Sequence, residues 1–165
     1  MKNNFFFSIL IPTKNRSELL KNCLTSVLNQ TFSNYEVIIF DNNSKDNTKL
    51  VANNFKDKRL KYFKQSSDVS VTENWNSSFN NCCGNFIVNI GDDDVLHKNF
   101  LDNIYKTIIQ HYSEIVIVKH SRYYYQDYFE KDQQGLLIKS HETNTIQKLN
   151  SHEVIERFCK FDKFF

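Results

Sequence analysis

The sequence predicts an α/β fold, a mostly parallel sheet flanked by helices on both faces. Short apolar runs rich in β-branched and aromatic residues alternate with segments of helical period over roughly the first 120 residues, the pattern of strands joined by crossover helices. The runs are continuously apolar rather than alternating, as strands buried on both faces are. Polar loops follow three of them, at 13–16, 41–48 and 92–94, and the carboxyl ends of parallel strands are where such sheets bind ligands.

Taken in order, Phe5 to Ile11 reads as a strand stopped by Pro12, followed by the polar loop Thr13-Lys14-Asn15-Arg16. Ser17 is a candidate N-cap for a helix carrying Leu19, Leu20, Cys23, Leu24, Val27 and Leu28 at helical spacing. Glu36 to Phe40 is a second strand, and the turn-rich Asp41 to Thr48 leads into a helix through Leu50, Val51 and Phe55. Leu60 to Phe63 gives a short third strand. Thr72 is placed to cap a helix with Trp75 and Phe79 on one face, ending near Gly84. Phe86 to Ile90 reads as a buried, interior strand. Phe100 to Ile109 follows as a helix and Ile115 to Val118 as a strand. Beyond His120, the aromatic stretch Tyr123 to Phe129, the turn at Gln133 to Gly135 and the run Leu136 to Ile138 suggest a hairpin. Ser151 to Cys159 suggests a last helix before Phe161, Phe164 and Phe165.

At 165 residues the length fits a single domain, 1–165. A net charge of +2 with interspersed signs gives no basic footprint of the kind nucleic-acid binding needs. Phe5 to Phe7 does not open a signal peptide, since no small-residue cleavage site follows. No apolar run has the length to span a bilayer, so a soluble or peripheral protein is expected. Cys23, Cys82, Cys83 and Cys159 form no C-x-x-C pair and read as small core residues in a reducing compartment, the cytoplasm. No histidine pair has zinc spacing, and His97, beside the acidic run, reads first as a solvated residue leading into a helix.

Asp92, Asp93 and Asp94 come directly after Gly91 at the end of a strand. Three adjacent carboxylates there need water or a cation to neutralise them. One reading is an acidic turn favouring the next helix N-terminus. The other is a site for Mg²⁺ or Mn²⁺, which bind through one or two carboxylates plus substrate phosphates. With only three glycines in the chain, the sequence argues against a glycine-rich phosphate cradle. A diphosphate at this rim would therefore be neutralised by a metal on the triplet, helped by Lys14 or Arg16, and a diphosphate leaving group suits that arrangement best.

Four segments now carry a resemblance: Ser8-Ile-Leu-Ile-Pro-Thr-Lys-Asn-Arg16, Val37-Ile-Ile-Phe-Asp-Asn-Asn-Ser44 with Asp46 and Thr48, Glu73-Asn-Trp-Asn76, and Gly91-Asp-Asp-Asp-Val-Leu96. Together, over residues 5–110, they resemble the nucleotide-sugar-binding half of glycosyltransferase family 2, of GT-A (Rossmann-like) fold. The resemblance implies inverting transfer of a sugar from a nucleoside diphosphate-sugar, UDP-sugar favoured, to a saccharide or lipid-linked acceptor hydroxyl. It also implies dependence on Mg²⁺ or Mn²⁺, and a place in cell-surface polysaccharide synthesis at the inner face of the cell membrane; the basic and aromatic carboxyl end is one that would make peripheral membrane contact, or else a cut core helix. It assigns Pro12, Thr13, Asn15, Arg16, Asp41, Asn74 and Asp92 to the donor, with Asp41 on the base, and Asp93 and Asp94 to the metal.

Residues 111–165 would then be a partial acceptor side of a chain truncated at its carboxyl end. The family's catalytic base falls in that region, where Asp127, Glu130, Asp132, Glu142 and Glu153 are the available acids and none sits in a recognisable motif, so the catalytic residue is not identified. Because that region is incomplete, a nucleotide-sugar and metal binding module without turnover is the alternative. A sugar-phosphate nucleotidyltransferase is disfavoured by its missing glycine-rich loop.

Overall fold

The computed structural model describes residues 6–110 and the two short segments 123–126 and 136–139. The apolar runs form strands β1 (Phe7–Thr13), β2 (Tyr35–Asp41), β3 (Leu60–Lys64) and β4 (Phe86–Asn89). They are joined through helices α1 (Ser17–Leu28), α2 (Thr48–Asn54) and α3 (Val71–Phe79), and α4 (Phe100–Gln110) follows β4. All pairings are parallel, in the order β3-β2-β1-β4. The expected α/β architecture is therefore present. The chain steps outward from β1 to β3 and then crosses to the other side of β1 for β4, so strand order reverses between β1 and β4. That reversal opens a crevice at their carboxyl ends.

Both β1 and β2 are buried along their whole length because each face of the sheet is covered. On one face Phe7, Ile9, Ile11, Val37 and Ile39 meet Leu20, Cys23, Leu24 and Val27 of α1, Ala52 of α2 and Leu101 and Ile108 of α4. The α1 residues fall at the i, i+3, i+4, i+7 spacing of an apolar helix face. On the other face Leu10, Ile38 and Phe40 pack with Phe63 and Cys82. Burial of such side chains contributes roughly 1.5–3 kcal/mol each.

Several expectations are corrected. The core strands are β1 and β2, not the Phe86–Ile90 run. β4 pairs with β1 and, among the described residues, with no other strand, so its residues alternate between half-buried and exposed, Ile87 being 43% exposed. Pro12 does not end β1 but lies within it, opposite Phe40. The Leu10 carbonyl accepts from Ile90 N–H, so position 12, two residues on, also faces the β4 side, where β4 has already stopped at Asn89. A missing N–H there forfeits no ladder bond.

Ser17 is the first residue of α1, not its cap. Its N–H donates to Asp46 Oδ2 at 3.0 Å. Ser70, not Thr72, caps α3, accepting from Glu73 N–H at 3.2 Å, and the helix stops at Phe79. Cys23 is a buried core residue as expected, but Cys82 and Cys83 follow α3 in a turn, and Cys83 is exposed.

The second face holds a charge the apolar pattern does not announce. Glu36 is wholly buried. Its Oε1 accepts from Ser8 Oγ at 2.6 Å and Cys83 N–H at 2.6 Å, and its Oε2 from Lys61 Nζ at 2.7 Å. Burial pushes this carboxyl up, but the bonds from Lys61, Ser8 and the Cys83 N–H outweigh it and hold the group below its ordinary value. Gly84 completes the arrangement, donating its N–H to Ser8 Oγ at 2.8 Å. A Cβ on Gly84 would lie 2.5 Å from Ser8 N and 2.6 Å from Phe7 C, backbone atoms that cannot turn aside.

The chain divides into two compact units, Met1–Val116 and Ile117–Phe165. In the second, β5 (Tyr123–Gln126) and β6 (Leu136–Lys139) pair antiparallel, Tyr123 opposite Lys139, as two arms of a hairpin should. The expected strand Ile115–Val118, the turn Gln133–Gly135, the helix Ser151–Cys159 and the five candidate acids lie outside the described residues.

Two measurements check this packing. Gly84→Ala should destabilise the protein by roughly 1–3 kcal/mol in denaturant titration, the usual cost of overpacking. A carboxyl with a lowered folded pKa stabilises fully above its unfolded value, and that contribution is lost as pH falls through the folded value. The stability gap between wild type and Glu36→Gln should therefore stay constant from about pH 5 to 7 and narrow below about pH 4.5, the ordinary value for the group.

Candidate functional site

Parallel register sets Thr13 beside Asp41 and Asp41 beside Lys64 at the carboxyl rim. The last rung between the two inner strands runs from Asn42 N–H to the Thr13 carbonyl at 2.9 Å. Beyond it the chain must turn within a residue or two, and asparagine does this at both places: Asn15 has φ 53° and Asn43 φ 55°, the left-handed conformation that asparagine tolerates better than most residues. The two loops then clasp. Asn15 N–H donates to Ser44 Oγ at 2.8 Å, and Lys45 N–H donates to Asn15 Oδ1 at 2.7 Å.

Asp41 is wholly buried, so its carboxylate must be satisfied by the protein. Its Oδ1 accepts from the Ser44 N–H at 2.9 Å and from the Ser44 hydroxyl, and its Oδ2 accepts from the Tyr62 hydroxyl. Burial, with the Asp41 bond behind it, pushes the Tyr62 phenol up, so it stays a donor. In this conformation both oxygens of Asp41 are engaged. Asp46 does a second capping task, accepting from Ser17 N–H and from Thr48 N–H and Oγ1, so one side chain opens both α1 and α2.

The segment before α3 is tied to the same rim. Asn42 exchanges two bonds with Val69, Nδ2 to the carbonyl at 2.8 Å and Oδ1 from the N–H at 3.0 Å. Asp68 accepts from Asn43 Nδ2 at 3.0 Å and pairs with Lys14 at 3.2 Å. Asn74, 3% exposed, donates Nδ2 to the Phe40 carbonyl at 3.3 Å, and its Oδ1 is buried without a hydrogen-bond partner.

The acidic triplet faces Thr13 across the crevice between β1 and β4. Asp92, 4% exposed, accepts from Thr13 Oγ1 at 2.6 Å and from Arg16 Nη1 at 3.1 Å, and the same nitrogen lies 3.2 Å from Asp93 Oδ2. A turn closed by Asp94 N–H on the Gly91 carbonyl follows. A Cβ on Gly91 would sit 2.6 Å from Asp93 Oδ1 and 3.2 Å from Asp94 Oδ2, so both carboxylates fold back over the glycine.

The triplet's other neighbour is Cys23, whose Sγ lies 3.5 Å from the Gly91 carbonyl. Burial, reinforced by Asp92, Asp94 and Asp93, pushes this thiol up to about 12, which makes it an inert neutral donor. The segment after the triplet is held by α1 and the residue pair beyond it. Ser26 Oγ accepts from Leu96 N–H at 3.0 Å. Gln30 donates to the His97 carbonyl at 2.9 Å and accepts from Leu101 N–H at 3.1 Å. His97 Nδ1 accepts from Asn99 N–H at 3.3 Å, just before α4 opens.

The structure thus brings together Thr13, Arg16, Asp92 and Asp93, with Asp94 adjoining, and joins Asn15 to Asp41 through Ser44. Pro12 is buried in β1, and Asn74 stands on α3 at the residue before Asp41. Ser44 and Asp46 stood in one of the four motif segments without a role of their own, and Tyr62, Ser26 and Gln30 escaped the sequence. A cavity of about 350 Å³ lined by Ala52, Phe55, Leu60 and Tyr62 includes none of the triplet.

Among the described residues no three acidic, histidine or cysteine groups form a closed metal cage. Asp93 and Asp94 nevertheless fit a hard cation of the kind that arrives with phosphates. They are two carboxylates on one turn, and a side-chain exposure of 53% for Asp93 leaves room for outside oxygens.

The sequence profile described as "Glycosyl transferase family 2" matches residues 8–163. The chain belongs to glycosyl transferase family 2. Among individual family 2 proteins it is similar to the "GalNAc(5)-diNAcBac-PP-undecaprenol beta-1,3-glucosyltransferase" of Campylobacter jejuni, 33% identical over 111 residues that make up 66% of this chain and 36% of that protein. In fold it resembles Staphylococcus aureus TarS in complex with UDP-GlcNAc, with a TM-score of 0.63 at 24% identity, covering 66% of this chain and 32% of that one. It also resembles a mannosyltransferase of Pyrobaculum calidifontis in complex with GDP-Man and Mn²⁺, with a TM-score of 0.58 at 20% identity, covering 64% and 32%. The match to this family 2 chain therefore spans about a third of the length of each of these three proteins.

Removing the Tyr62 hydroxyl strands one oxygen of a buried carboxylate. Tyr62→Phe should lower the free energy of unfolding by roughly 1–3 kcal/mol, read by denaturant titration at neutral pH.

Proposed function

We propose that this chain carries the donor site of an inverting, metal-dependent glycosyltransferase that uses a nucleoside diphosphate-sugar, UDP-sugar favoured, for cell-surface polysaccharide synthesis. The observation that carries the reading is the meeting of Thr13, Arg16, Asp92 and Asp93 at the crevice where strand order reverses. Family membership supports the transferase chemistry, and the UDP-GlcNAc bound to TarS supports the donor class. The undecaprenol-linked acceptor in the Campylobacter enzyme's name supports a saccharide or lipid-linked acceptor. Action on such an acceptor would bring the protein to the inner face of the cell membrane as a peripheral partner, and among the described residues no helix is long and apolar enough to cross a membrane.

In this reading the bond from the anomeric carbon to the diphosphate breaks as the acceptor oxygen bonds the opposite face, and the acceptor proton passes to a base. Thr13 and Arg16 fix the Asp92 rotamer so that its carboxylate meets donor hydroxyls without reorganising. Asp41 would accept from the base, while Pro12, Asn15 and Asn74 shape the wall around it. Asp93 and Asp94 would hold Mg²⁺ or Mn²⁺. When bound, that ion supplies positive charge as the diphosphate departs, and the Mn²⁺ complex of the Pyrobaculum enzyme supports the choice.

Asp93→Asn and Asp94→Asn should each weaken Mn²⁺-dependent UDP binding by about tenfold or more, since a hard cation held by one or two carboxylates loses a principal ligand. Calorimetry with and without Mn²⁺ measures this, and unchanged affinity in both variants refutes the metal assignment. Incubation with radiolabelled UDP-sugars and acceptors then separates turnover from storage: binding without UDP release would identify a donor-binding module.

A further inference from the structure

One guanidinium nitrogen of Arg16 bridges two carboxylates of the triplet, 3.1 Å from Asp92 and 3.2 Å from Asp93. The two partners differ. Asp92 has a side-chain exposure of 6% and a second bond from Thr13, whereas Asp93 is 53% exposed and Arg16 itself 52%. The backbone of Arg16 is pinned, because its carbonyl accepts from Leu20 N–H at 2.9 Å in the first turn of α1, so only the side chain can change partner. Its charge is permanent at any working pH.

We propose that Arg16 is a built-in counter-ion for the acidic rim, which competes with an incoming dication for Asp93 and is released toward the donor's diphosphate when the dication wins. This rests on the metal reading above and deepens it by assigning coupling between the two ligands. The buried Asp92–Arg16 contact persists through the exchange, and the exposed Asp93–Arg16 contact is the one given up. A dication alone must displace Arg16 from Asp93 and leave it with Asp92 as its one carboxylate, whereas a dication arriving with a diphosphate gives Arg16 a second anion in exchange. Metal and nucleotide therefore reinforce each other through this side chain. Lys14, two residues earlier in the same loop, is a natural control, since it pairs with Asp68 at 3.2 Å and not with the triplet.

The test is Mn²⁺ alone, titrated into the 165-residue chain at low ionic strength, with bound ion read by electron paramagnetic resonance. Arg16→Gln should bind Mn²⁺ about threefold or more tightly than wild type, the scale of one partly exposed ion pair. Lys14→Gln should gain about 1.5-fold or less, as a screened charge outside the contact. Circular dichroism and thermal melting verify that both variants are folded. Equal Mn²⁺ affinity in Arg16→Gln and wild type, or an equal gain in Lys14→Gln, overturns the counter-ion role while leaving the metal site standing. Absence of Mn²⁺ binding in all three proteins overturns the metal reading and this inference with it.

Discussion

Three carboxylates out of water, Glu36, Asp41 and Asp92, impose the constraint on which the rest of this structure depends. A buried carboxylate is costly unless every oxygen finds a donor, and here most of the donors come from segments remote in the chain. Glu36 is satisfied by Ser8, Lys61 and Cys83, Asp41 by Ser44 and Tyr62, and Asp92 by Thr13 and Arg16. Each charge thereby becomes a fastener. Glu36 fixes the face under α3, Asp41 locks the second loop onto β3, and Asp92 ties the triplet to the end of β1.

The triplet divides its labour by depth. Asp92 is sealed and doubly bonded, so its carboxylate is held in one orientation, whereas Asp93 stays half in solvent. A neutral thiol behind the turn and the Ser26 and Gln30 bonds on the following segment hold the turn in place without adding charge. Fixed dipoles and charges around a site lower the reorganisation needed when a charged ligand binds.

The alternation of strand and helix, the covered faces and the convergence of three loops were all legible in the sequence, because hydrophobic period and the carboxyl-end rule are local signals. Pro12 was misread because a proline reports a missing N–H and not which side of the strand that N–H would have faced. The full burial assigned to Phe86–Ile90 was not met for a related reason: β4 alternates between half-buried and exposed and, among the described residues, pairs with β1 alone, and an apolar run does not disclose how many neighbours pair with it. Tyr62 in a short strand reads as core, and Gln30 after a helix reads as surface. Their partners, 21 and 71 residues away in the bonds to Asp41 and Leu101, follow from strand order and register, which periodicity does not encode.

The clasp between Asn15 and the Ser44–Lys45 turn has an evolutionary consequence. Because each loop supplies both a donor and an acceptor to the other, and each contains one left-handed asparagine, neither can drift alone without stranding a polar group in its neighbour. Change in this rim should therefore proceed by paired substitutions across the two loops, with single replacements penalised until the compensating one arrives.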